Sequence, residues 1–390
     1  MTALKHQKIS LFMATIAGAN AMIGAGIFYN PVALQLYVGP AAIITYIGVI
    51  MAVWVLALAL AKVAALYPEE GAFYTYAKTW GGHTMGVIAS MAYIGGLTLA
   101  MSILTRIIAQ ELAYYLPTIS VEILGLATLW ALVILNMAGA ALTKWGQIVL
   151  IVLTLVPLAL ISGLCLTKAS IANLTPFMPF GYSSLIYAIK FVIFGFFGFE
   201  TAASLYALVD KPEKNVPRAL TLSIIIVGSI YLLFVTSIFL AIPRQLFSQP
   251  GITLSQVMLN VFPDYTWLVD FIRISIIITI MGTLHALIWS LGELLCASMR
   301  RISSKNILTL RSAVVFIGVI VTFNYLVFAN VGFPLTALLL VFSYSTSIAA
   351  LLWGPAKKTN STKMLGYAGI AVALFIMSVA LFEVITIATR

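Results

Sequence analysis

Three apolar stretches contain the residues best able to do chemistry. Gly18 and Gly24-Ala25-Gly26, with Pro31 just beyond, interrupt the first. Gly195 and Gly198 interrupt the second and are followed at once by Glu200-Thr201. Gly24 and Gly198 are 174 residues apart (198 − 24). The third holds His285, Trp289 and Glu293 at helical spacing. An ionised carboxylate within hydrocarbon is expensive, so Glu200 is a functional candidate by default. Its alternative role is a fixed ion pair that helps assembly. The glycines also have two readings. They can be close-packing sites of the small-xxx-small type, or backbone breaks around a lined cavity, the only place where unwound backbone is tolerated at mid-bilayer depth. The matched pair of clusters, one beside a carboxylate, favours breaks. A half-helix starting after Gly26 would then turn its free N–H groups and positive dipole end towards a carboxylate. One ending before Gly198 would offer carbonyls to an ammonium. Together these make a socket for a zwitterion of amino-acid size.

The elements that must position these residues follow from composition. Of 390 residues 62% are hydrophobic and 8% are charged, against about 25% charged in a soluble domain. This excludes a soluble enzyme, a nucleic-acid-binding protein and a disordered chain, and leaves an all-α polytopic membrane protein. A spanning helix needs about 20 apolar residues. Eleven runs qualify, near 9–36, 39–66, 84–115, 122–140, 145–167, 184–209, 219–241, 267–298, 311–328, 332–353 and 364–386. The alternating pattern of an outer-membrane barrel is absent. Spans 1–5 (9–167) and 6–10 (184–353) have similar offsets, so the chain reads as one domain of two five-span repeats plus an extra span at 364–386. A repeated five-span unit must invert, and inverted repeats with matched interruptions point to a secondary transporter.

Charge supplies the orientation. All 21 Lys and Arg residues except Arg106, Lys168, Lys190, Arg244, Arg273 and Arg390 fall on one side if the N-terminus is cytoplasmic. By the positive-inside rule this places the N-terminus inside and the C-terminus outside. The net charge of +10 is then a topology signal rather than a nucleic-acid footprint. Lys5, Lys8 and Ala19-Asn20-Ala21 also fit a cleaved signal peptide, but apolar character continues past that site. Cys165 and Cys296 lie in apolar runs and form no metal or disulfide pattern.

At four stretches the chain resembles the amino acid–polyamine–organocation superfamily of permeases. Gly18 to Phe28 with Pro31 is similar to the span-1 glycine motif. Tyr67-Pro68-Glu69-Glu70-Gly71-Ala72-Phe73-Tyr74-Thr75-Tyr76 is similar to the P-x-x-G-G-x-Y-x-Y loop, with Ala72 replacing its second glycine. Phe194 to Ala202 looks like the F-x-G-x-E core of span 6. Asp210 to Ala219 resembles the N-P-x-R-N-V-P-R-A loop. The order agrees over about 9–240 and fades beyond 300. The nearest branch is the bacterial basic amino acid/polyamine antiporters, which the Leu155-Val156-Pro157 stretch also resembles. The resemblance implies the LeuT-type fold, ten core helices in two inverted halves with spans 1 and 6 discontinuous. It implies that Ile23, Gly24, Ala25 and Gly26, with Gly198, hold the substrate's α-groups. It places Phe194 as an aromatic gate, Glu200 as the coupling residue and Tyr74 in a moving inner loop. Gly96 falls near a span-3 position where arginine antiporters carry an amide, which argues against arginine. A twelfth span is missing, and the loop at 299–310 is short and lacks the A-R-D-G-x-x-P segment.

The remaining polar residues have plainer readings. His285 either lines the cavity as a proton relay or is hydrogen-bonded between helices. Glu293 suits a salt bridge near Arg300 and Arg301. Arg106, Glu111, Arg273 and Lys190 suit pairing or snorkelling at an interface. Tyr114, Tyr115, Trp145, Trp267 and Trp353 suit interfacial belts. No metalloprotease, hydrolase or P-loop motif occurs, so no enzyme activity, cofactor or metal is expected. The expectation is a permease of amino acids or related amines in the inner (plasma) membrane, working by alternating access and driven by exchange or protons. No cluster of site hydroxyls for sodium is visible in the sequence. The alternative is a non-transporting amino-acid receptor or degenerate carrier subunit. The expected partners are the substrate, the bilayer, possible protons and a possible homodimer.

Overall fold

The computed structural model describes residues 8–24, 26–68, 72–138, 144–204, 206, 209–249, 252–303, 308–328 and 332–388. Ala25, Glu69 to Gly71 and residues 304–307 of the short loop lie outside them. Fifteen α-helices occur among the described residues, and the one β-bridge there is isolated, joining Ile9 to Val209.

Apolar length decides which helices cross a bilayer. Seven do so by length and composition: α3 (Ala42–Leu66), α4 (Ala72–Tyr115), α9 (Pro212–Ala241), α11 (Trp267–Ser303), α12 (Leu310–Val327), α13 (Gly332–Ile348) continued by α14 (Ala350–Trp353), and α15 (Asn360–Ala388). An eighth span is α1 (Leu11–Met22) with α2 (Gly26–Tyr37), bent by 46° between them. Shorter apolar helices are α5 (Val121–Met137), α6 (Lys144–Leu166) and α7 (Ser183–Phe194). The chain is an all-α polytopic membrane protein. Each of the eleven runs read from the sequence holds a helix, although α4 begins 12 residues before its run (84 − 72) and, among the described residues of 184–209, only α7 and the short α8 (Thr201–Ser204) are α-helical. α1, α2 and α7 have 12 residues each, about 18 Å and so half a bilayer. After α7 come turns, then α8 (Thr201–Ser204). The amphipathic α10 (Leu254–Val261), closed by a Thr253–Gln256 capping box, lies between α9 and α11.

The stretch expected to be a loop around Tyr74 is helical from Ala72 onward. Gly82, at φ 72°, interrupts the helix there. α4 packs on α13 and α11, α3 on α9, α1 on α9, and α15 on α13 and α3. At one end of the bundle the Asp210 N–H donates to the Ile9 carbonyl, the Ala356 N–H donates to the Tyr67 hydroxyl, and Trp80 packs on Trp353; these residues flank basic loops, and this end is termed the basic end below. The other is the far end.

Two ion pairs join helices near the far end. Arg273 of α11 binds Glu111 of α4 at 2.7 Å, and both are buried. Lys190 of α7 pairs with Glu383 of α15. Removing one member of a buried pair strands the other charge. Glu111→Ala should therefore destabilise the protein by about 3–5 kcal/mol. The double replacement Glu111→Leu/Arg273→Met should recover most of that loss. Thermal melts in detergent check both.

Candidate functional site

The first break is a bend at Ile23 and Gly24, and the second is a run of turns from Gly195 to Glu200. They meet closely. A Cβ on Gly26 would lie 3.5 Å from the Gly195 Cα. Gly198 has φ +105°, a left-handed conformation that side chains resist, and its Cα faces the Ala21 carbonyl. Backbone carbonyls freed in hydrocarbon need donors. The Tyr231 hydroxyl of α9 supplies one, lying 3.1 Å from both the Met22 and the Gly195 carbonyl. Asn30 of α2 donates to the Phe191 carbonyl at 3.0 Å and to the Tyr46 hydroxyl at 3.1 Å. α2 and α7 are thus tied to each other beside the breaks.

Between the breaks is a cavity of about 30 Å³, the size of one water rather than a solute. Ala21, Met22, Gly24 and Gly26 line it from the first break, and Phe194, Gly195 and Phe197 from the second. Leu97, Ala100 and Leu104 of α4 and Thr283 and Leu287 of α11 complete the wall. No side chain among the described lining residues is charged.

Aromatic rings close the cavity on the far side. The Phe194 ring meets Phe333 edge-on at 4.7 Å, and Phe333 stacks on Tyr29 at 5.8 Å. Tyr29 in turn lines a vestibule of about 620 Å³ between α2, α4, α10 and α11, with Gln110, Gln256 and the Glu111–Arg273 pair in its wall.

A thicker seal stands on the basic side. Tyr93 of α4 donates to Glu200 Oε1 at 2.8 Å, and the Gly198 N–H donates to Oε2 at 3.1 Å. Phe73 stacks on Tyr93 at 4.0 Å. Tyr344 of α13 contacts Phe197 at 6.5 Å, Phe199 at 5.2 Å and Phe73 at 5.9 Å. Its buried hydroxyl faces the Glu200 carboxylate. Glu200 is 2% exposed, and the groups around its carboxylate are the phenols of Tyr93 and Tyr344 and backbone N–H groups, none of them a cation.

Gly24, Gly26 and Phe194 therefore line one cavity, and Gly198 and Glu200 brace its basic side. Ile23 lies beside it and turns its carbonyl towards Thr283 Oγ1, 3.4 Å away. Gly96 does not reach the cavity. A Cβ there would lie 2.8 Å from Leu340 of α13, so this glycine is a helix-packing position. Tyr74 bonds to His83 Nδ1 at 3.0 Å, and its neighbour Phe73 is the residue that touches the seal. Nδ1 of His285 accepts from Asn136 of α5 at 2.8 Å, the interhelical role. Sequence reasoning missed Tyr231, Tyr93, Phe333 and Asn30. Asn30 carried a signal, being an amide inside an apolar span. It also missed a seam of hydroxyls: Thr283 donates to the Thr279 carbonyl at 3.0 Å, and Thr279 and Thr154 are 3.3 Å apart.

The profile of the family described as amino acid permease matches residues 9–389. The chain belongs to the amino acid permease family. Its relatives include an uncharacterized transporter of Mycobacterium bovis, 25% identical over 76% of this chain and 66% of the relative. Another, of Mycobacterium tuberculosis, is 26% identical over 59% of this chain and 54% of the relative. The matched stretches thus span between about half and two thirds of these relatives. The interruptions of this permease-family chain lie within the matched region.

Tyr231→Phe removes the donor shared by both breaks and should cost roughly 1–3 kcal/mol, read as a lower melting midpoint. Gly198→Ala combines left-handed strain with a clash against Ala21. It should reduce the folded yield more than the same change at Gly163, where a Cβ meets open space.

Proposed function

We propose that the chain is a secondary transporter of amino acids or related amines that works by alternating access between the two breaks. One observation carries this reading: a cavity the size of one water between paired helix breaks, with an aromatic contact towards a vestibule on one side and a hydrogen-bonded carboxylate under rings on the other. The proposed cycle starts with a zwitterion entering from the vestibule as Phe194 and Phe333 part. Its carboxylate meets the first turn of α2, and its ammonium meets carbonyls at the ends of α1 and α7. Ala25 falls in the same segment by resemblance. The seal then opens when Glu200 exchanges its Tyr93 and Gly198 bonds, which couples occupancy to movement.

The uncharged, apolar lining favours a neutral amino acid over arginine or a polyamine, because a cationic side chain would find no counter-charge in it. The packing supports two inverted repeats over 9–167 and 184–353. Exchanging spans 1–5 with 6–10 turns the α1–α9 contact into α3–α7, α4–α13 into α6–α11, and α4–α5 into α11–α12, and all six contacts exist. The basic end, with the N-terminus, would face the cytoplasm across the plasma membrane. The drive would be exchange or protons. The threonine seam beside Ile23 makes sodium a third candidate.

Proteoliposomes tested with a panel of neutral, cationic and acidic amino acids and polyamines check this reading. Uptake or counterflow of a neutral amino acid is expected, with arginine and polyamines competing at least tenfold more weakly. Imposed proton gradients, and replacement of sodium by choline, identify the drive. Glu200→Gln can accept only one of the two bonds and should slow flux at least tenfold and alter its pH profile. Saturable binding without flux of any compound would favour the receptor alternative.

A further inference from the structure

A groove of about 980 Å³ lies outside the candidate site, between α7, the first turn of α13 and α15. It opens sideways. Ile186 on α7 and Phe375 and Phe382 on α15 line it and are 50%, 54% and 74% exposed. On spanning helices such faces meet acyl chains rather than water.

The floor of the groove is polar, formed by the buried Lys190–Glu383 pair. An ammonium has three N–H donors and no acceptor. Glu383 takes one, and the Tyr187 and Phe191 rings lie 3.7 and 4.6 Å from Nζ. A ring face is a weaker acceptor than a carbonyl oxygen, so a carbonyl in the groove would displace the more distant ring contact. Lys190 is seven residues into α7, about 10 Å down its axis. The headgroup layer is roughly 5–8 Å thick, so Lys190 reaches the depth where lipid ester carbonyls begin. At the mouth, the Arg244 guanidinium lies over the Phe180 ring at 4.6 Å, and Phe180 lines the groove.

We propose that this groove binds one diacyl glycerophospholipid. An ester carbonyl accepts from Lys190, the phosphate meets Arg244, and an acyl chain lies against Phe375 and Phe382. The groove wall is also the back of the far-side gate. Phe333 lines the groove and contacts Phe194, and Phe191 lies 5.8 Å from Phe333. A bound lipid therefore supports the gate from behind.

The test is native mass spectrometry of the full chain released from micelles that hold equal amounts of diester and diether phosphatidylglycerol. The intact protein is expected to retain one diester lipid, preferred over the diether about tenfold. The double variant Lys190→Met/Glu383→Leu should bring that preference near parity. Ser378→Trp, which fills the groove without touching the ion pair, should abolish retention. Equal retention of the two lipids by the intact protein, or unchanged retention in Ser378→Trp, overturns the proposal. Ser378→Trp and the lipid comparison decide the matter even if the double variant fails to fold. The readout needs no flux, so it stands apart from the transport reading.

Discussion

Backbone groups released within hydrocarbon must find partners, and the rest of this structure depends on how that demand is met. Two helices end near the same point, and their freed carbonyls face one phenol. The Tyr231 hydroxyl sits 3.1 Å from Met22 and from Gly195. A hydroxyl has a single proton to donate, so the two breaks share one donor. Any movement that separates α1 from α7 must redistribute that bond. This links the two breaks mechanically, and it explains why a buried tyrosine on α9, which lines no cavity, belongs to the site.

The closures on either side differ in chemistry. On the far side three rings meet without a hydrogen bond among them, and such contacts contribute perhaps 0.5–1.5 kcal/mol each. On the basic side a buried carboxylate accepts from a phenol and a backbone amide under further rings. That closure is stronger, and opening it requires Glu200 to find other partners. The vestibule beyond the ring contacts completes the asymmetry: rings alone stand on one side of the cavity, rings and a hydrogen-bonded carboxylate on the other. The Lys190–Glu383 pair extends this arrangement outward, because it fixes α15, outside the proposed repeats, to the half-helix that ends at Phe194.

Much of this was legible in the sequence because the bilayer permits few architectures. Apolar length alone located the helices, and the glycine clusters located the breaks. Glu200 stood out because charges are scarce. The losses have physical causes. Tyr231 and Tyr93 are amphipathic side chains in long apolar helices, where composition cannot separate a bridging phenol from a packed ring. Gly96 came from a matching position in a motif, and rotation about the helix axis turns it towards α13 while Leu97 and Ala100 face the cavity. The threonine seam needs α6 and α11 side by side, a contact that no local pattern announces. His285 can be read two ways from its type and position, and its Asn136 partner comes from α5, a neighbour the sequence does not announce.

The central claim is that the solute binds between the two breaks, and Ala100 in the cavity wall offers the most direct test. Ala100→Cys is labelled with a membrane-impermeant maleimide in proteoliposomes, with Cys165 and Cys296 replaced by serine. The solute with the highest flux is added at saturation, and Ser248→Cys, exposed in the loop after α9, serves as the control. The account predicts at least tenfold slower labelling at Ala100→Cys and no change at the control. A solute that is carried yet leaves labelling of Ala100→Cys unaltered would contradict it.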